Sequence, residues 1–204
     1  DLHSFPTRRS SDLVVAVAAY SAAQKVDTIG VMPMMSFGMA MAAYTAQNYG
    51  AGQFDRIRAG VRAGILMSGT FSIAVGLLMY FSGGALIALF VGPKETQVIS
   101  YGHLYLAVDG ACYFLLSLLF IFRFTLQGLG QTFVPTLAGF MELLMRAGAA
   151  FFLIDRLGYL GACLANPLAW LGACLPLIPA YLWIRRTLRD SNYQIGRASC
   201  RERV

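Results

Sequence analysis

Five runs of about 20 or more mostly apolar residues fill most of this chain, and each is long enough to cross the hydrocarbon core of a bilayer. They lie near residues 17–48, 61–81, 101–126, 133–154 and 160–184. Within lipid no water satisfies the backbone, so each run must close its own N–H and C=O groups as a helix. The expected fold class is therefore all-α, a polytopic transmembrane helix bundle of about five spans. The first run is long for one crossing and contains Pro33. It is expected to tilt, to kink at Pro33, or to project beyond the bilayer. The second is expected to stop at Gly83-Gly84, leaving Ala85–Val91 as a short separate apolar piece that ends at Gly92-Pro93.

Charge gives the sidedness. Arg56, Arg58 and Arg62 follow the first run, and Arg185, Arg186 and Arg189 follow the fifth. Five alternating crossings put both groups on one side. The opposite loops carry Lys94 and Arg156, each beside an acid (Glu95, Asp155), with Lys25 toward the same side. Lys and Arg in short loops mark the cytoplasmic face. The expectation is a multi-pass protein of the bacterial inner (plasma) membrane with its C-terminus cytoplasmic.

The two ends are expected to be foreign. Asp1–Leu13 and Ile195–Val204 resemble the two strands of a common sequencing adapter read as protein. The domain reading is accordingly 1–13 adapter-derived, 14–194 transmembrane, and 195–204 adapter-derived. Without these ends, eleven Lys and Arg stand against seven Asp and Glu, so the basic balance of the whole chain says little about an acidic partner and no nucleic-acid partner is expected.

Within the spans, the sequence contains no Gly-rich phosphate loop, no Ser/His/Asp set, no paired-carboxylate site and no zinc-ligand spacing. Neither an enzyme nor a metal centre or resident cofactor is expected. His103, Cys112, Cys163 and Cys174 read as packing residues. Frequent glycines, among them Gly76, Gly110, Gly139 and Gly148, point to closely packed helices. Ionisable groups at membrane depth are costly and tend to face a partner or a wet cavity. Asp109 has Tyr105 and Tyr113 at four-residue spacing, a polar stripe with no cation at i+3 or i+4. It is a candidate coupling or substrate residue, with a locally paired or interfacial acid as the alternative. Glu142 and Arg146 share a helix face and are expected to pair, either as a structural ion pair or as part of a cation or substrate site. Arg123 reads as a snorkelling anchor. Lys25 and Asp27 read as interfacial anchors.

Several stretches together resemble the MATE (multidrug and toxic compound extrusion) family. They are Pro33-Met-Met-Ser-Phe-Gly-Met-Ala40, then Ala46-Gln-Asn-Tyr-Gly-Ala-Gly52 with Arg56-Ile-Arg58, and Leu126-Gln-Gly-Leu-Gly-Gln131. Glu142-Leu-Leu-Met-Arg146, Leu157-Gly-Tyr-Leu-Gly-Ala162 and Pro167-Leu-Ala-Trp170 follow in order. The resemblance implies a fold of twelve helices in two six-helix lobes around a central cavity, of which this chain would hold helices eight to twelve. The other lobe would be a missing N-terminal part of the same chain. It further implies secondary active transport, exporting organic cations or drugs in exchange for Na+ or H+. The family's coupling carboxylate on the tenth helix would fall near Leu116, so Asp109 lies two turns away on the same face. Competing readings are a lipid-linked oligosaccharide flippase of related architecture, a membrane-embedded enzyme or structural subunit, and a fragment without function of its own.

Overall fold

The computed structural model describes the backbone of residues 5–201 and the side chains of residues 13–187. Six helices follow one another: α1 (Phe5–Gly50), α2 (Phe54–Val91), α3 (Thr96–Gly128), α4 (Phe133–Leu157), α5 (Tyr159–Cys163) and α6 (Ala165–Arg201). Among the described residues, five helical stretches are long and apolar enough to span a membrane. The protein is thus a multi-pass membrane bundle. Most of the two segments read as adapter-encoded continues α1 and α6 as helix, while their side chains other than that of Leu13, and residues 1–4 and 202–204, lie outside the described residues.

α3 is the central element. It packs against α1, α2 and α6, and Tyr105, Leu106, Asp109, Tyr113, Leu116 and Leu126 along it are buried. α4 packs mainly on α6, and its large side chains, including Leu143, Leu144, Phe151 and Phe152, point outward. Leu66, Ile73, Leu77 and Phe81 do the same on α2. Outward apolar faces of this extent suit lipid rather than water.

Three points along the helices are informative, and two of them, the end of α2 and the division of the fifth span, differ from the sequence expectation. α2 does not stop at Gly83-Gly84 but runs on to Val91. The reason is a neighbour: a side chain at Gly83 would press on His103 and Leu106 of α3, so this glycine makes room for a helix and ends none. Gly76 makes the same kind of approach more tightly, because a Cβ there would strike the carbonyl of Gly110. Secondly, α1 passes through Pro33 without interruption. Proline leaves the Ile29 carbonyl without its usual helical donor, and the surrounding turns carry the helix across. Thirdly, the fifth span is divided. α5 ends at Cys163, Leu164 forms a turn, and α6 starts at Ala165. Pro167 accounts for the break, since it has no N–H to give to the Cys163 carbonyl.

The basic side is also visible. Phe54, Ile57 and Arg58 of α2, Leu129 after α3, and Tyr181, Ile184 and Arg185 of α6 line one small crevice. The arginines that follow α1 and those at the end of the fifth span therefore sit at the same end of the bundle.

Candidate functional site

Asp109 lies in the middle of α3 with no exposed surface. An ionisable group in that position requires a partner, and α6 supplies it. Asn166 donates through Nδ2 to Asp109 Oδ2 at 3.0 Å and to the hydroxyl of Tyr105 at 2.7 Å. A carboxylate only accepts, so the amide must turn its nitrogen toward it. The second oxygen, Asp109 Oδ1, is buried and has no hydrogen-bond partner among the described residues. The edge of Tyr105 is closed by Tyr20 of α1, ring to ring at 5.1 Å.

The expected stripe of Tyr105, Asp109 and Tyr113 is thus divided between two neighbours. Tyr105 and Asp109 face Asn166 on α6. Tyr113 turns to α1, where its hydroxyl donates to Asp27 Oδ1 at 2.6 Å. Asp27 is therefore no interfacial anchor; it is half-buried and belongs to the site, whereas Lys25 two residues earlier is exposed.

Glu142 and Arg146 do pair, at 3.4 Å, but this is the weaker of two contacts. Glu142 Oε2 also takes a hydrogen bond of 2.7 Å from Arg123 of α3. Arg123 and Glu142 are each 20% exposed in their side chains, and Arg146 is 50% exposed. The snorkelling role expected for Arg123 is corrected by this geometry: its guanidinium turns inward and bridges α3 to α4.

These groups meet at a cavity of about 240 Å³. Its polar wall consists of Gln24 and Asp27 from α1, Arg123 from α3, Glu142 and Arg146 from α4, and Asn166 from α6. Leu116, the position that the resemblance assigns to the coupling carboxylate, also lines it, as does Trp170. Asp109 does not reach the cavity and stands behind Asn166. Among the described residues no cluster of His, Cys, Asp and Glu is placed to hold a metal ion. Pro33 lines neither this cavity nor its hydrogen bonds.

Asn166, Asp27 and Arg123 were not singled out from the sequence as site residues. Each carried a signal: Asp27 and Arg123 are ionisable residues inside apolar runs, and Asn166 is a polar residue in another, directly before a proline.

The MatE family model matches residues 14–152 of this chain. A Bacillus subtilis (strain 168) protein named "Probable multidrug resistance protein YoeA" is 27% identical over 172 residues, covering 83% of this chain and 37% of that protein. A Thermotoga maritima protein named "Probable multidrug resistance protein NorM" is 25% identical over 150 residues, covering 72% of this chain and 32% of that protein. The chain therefore spans about a third of the length of these relatives. No solved structure is significantly similar to it.

Proposed function

Because this chain belongs to the MatE family, we propose that it is part of a multidrug efflux transporter that exports organic cations or drugs in exchange for Na+ or H+. The observation that carries this reading is the buried Asp109 carboxyl, held by Asn166 on one oxygen and open on the other, next to a charged cavity. A carboxyl that binds a cation in one state of the transporter and releases it in the other biases the two states through its differential affinity. The substrate would occupy the space between this part and the rest of the longer chain, and the two would rock against each other across the bilayer.

The cavity wall carries Asp27 and Glu142 against Arg123 and Arg146. Both arginines contact Glu142, which leaves no surplus of positive charge for a pyrophosphate headgroup and disfavours the flippase reading. The arginine-bearing end would face the cytoplasm of a bacterial inner membrane. A reporter fused after Gln53 should report the cytoplasm and one after Gly158 the opposite side, and the reverse pattern would reject this orientation.

The uninterrupted reading frame, recovered from the source DNA, allows the main test. Ethidium efflux is followed in membrane vesicles under an imposed Na+ or H+ gradient. Asp109→Asn is expected to abolish gradient-driven efflux, while Asp55→Asn, on an exposed turn, leaves it unchanged. Full gradient-driven efflux by Asp109→Asn removes that residue from the mechanism.

A further inference from the structure

We propose that Asn166 is a positioning residue for ion coupling, the hydrogen-bonding group through which the state of the cavity reaches the Asp109 carboxyl. This inference rests on the coupling role proposed for Asp109 and goes beyond it. Its basis is a juxtaposition. Asn166 lines the cavity and also hydrogen-bonds Asp109, whereas Asp109 is fully buried and lines no part of it.

The amide is already committed. One N–H goes to Asp109 and the other to Tyr105, and an Asn side chain has only two donors and one carbonyl acceptor. Its carbonyl oxygen is the group left for the cavity. Anything in the cavity that draws on this amide, or displaces it, must do so at the expense of the Asp109 bond. The carboxylate would then keep at most the Tyr105 hydroxyl, itself released from the same amide, because Oδ1 has no partner to begin with. Burying a charge without a donor is far more costly than burying one with it. Cavity occupancy and charge on Asp109 are therefore linked, and the linkage runs in both directions.

The other titratable groups around Asp109 act on it through space. They are Tyr20 and Asp27 on α1, Cys112 and Tyr113 on α3, Tyr159 and Cys163 on α5, and Arg146 on α4. Tyr105 is different because it shares the Asn166 amide with Asp109. The backbone supports the arrangement: the break at Leu164 and Pro167 sets Asn166 in the first turn of α6, beside the middle of α3.

The test uses the intact transporter in vesicles, with ethidium as substrate and the Na+ concentration and pH varied separately. Asn166→Ala is expected to shift the half-saturating concentration of the driving cation by about tenfold, the worth of one hydrogen bond to a charged group. The KM for ethidium at saturating cation should stay within about twofold of the parent value. Asn166→Gln, which keeps the amide, should recover part of the shift. If Asn166→Ala does not reach the membrane, Asn166→Ser is read by the same criterion, since a short hydroxyl cannot serve both partners. An unchanged half-saturating concentration with only a lower maximal rate overturns the inference and leaves the role of Asp109 intact. Persistence of cation dependence in Asp109→Asn overturns the coupling reading and this inference together.

Discussion

The hydroxyl of Tyr113 donates a 2.6 Å hydrogen bond to Asp27, joining α3 to α1 across 86 residues of sequence. Asp27 lines the cavity and Tyr113 is fully buried, so the bond both ties two spans and sets the orientation of a lining carboxyl. Tyr113→Phe removes the donor and is expected to lower the thermal midpoint of the purified transporter. Asp27→Asn should do less, because an amide oxygen still accepts from Tyr113. Equal losses in the two variants would contradict the bond as the source.

The three-residue group on α3 and α4 makes a graded prediction. Arg123 lies 2.7 Å from Glu142 and both are mostly buried, whereas Arg146 lies 3.4 Å away and is half exposed. A double-mutant cycle on Arg123 and Glu142 is expected to give a coupling of about 1.5 kcal/mol or more. The cycle on Arg146 and Glu142 should give about 0.3–0.5 kcal/mol, as for exposed helical pairs at this spacing. The reverse order would show that the inward turn of Arg123 is wrong.

Two glycine substitutions separate packing from propensity. At Gly76 an added Cβ meets the backbone carbonyl of Gly110, while at Gly148 it meets open space. Gly76→Ala should therefore reduce the amount of folded protein in the membrane. Gly148→Ala should leave it unchanged or raise stability by about 0.5–1 kcal/mol through helix propensity. Fluorescence size-exclusion profiles of the two variants decide the matter; matching profiles would remove the close approach of α2 and α3.

Pro167 keeps α5 and α6 apart by withholding a hydrogen bond from Cys163. Pro167→Ala supplies that donor, and the amides near residues 164–168 should then exchange more slowly with deuterium. Exchange at the parent rate would mean that the break has another cause.

The five spans were legible because apolar length is a local property of the chain, and the pairing of Glu142 with Arg146 was legible because four residues make one helical turn. The remaining site was not. Asp27, Arg123 and Asn166 take their roles from partners on other helices, and no spacing along the chain reports such contacts. Arg123 near a helix end looked like an anchor because a lone arginine in sequence shows no acid, whereas Glu142 reaches it only after the chain has turned back. Gly83-Gly84 looked like a stop for the same reason: glycine that admits a neighbouring helix and glycine that ends one have identical letters. Asp109 stood out in the sequence as an acid inside an apolar run, but its hydrogen-bond partner was hidden in the apolar run that holds Asn166.

The approach of Gly76 to Gly110 has a mechanical side. At that level no layer of side chains separates α2 from α3, and backbone against backbone leaves nothing soft to shear. The two helices act there as one beam of double thickness. Asp109 is the residue next to Gly110, so it is mounted beside this close approach. On its other side the carboxyl meets Asn166 of α6 through a side chain, a clasp against that beam.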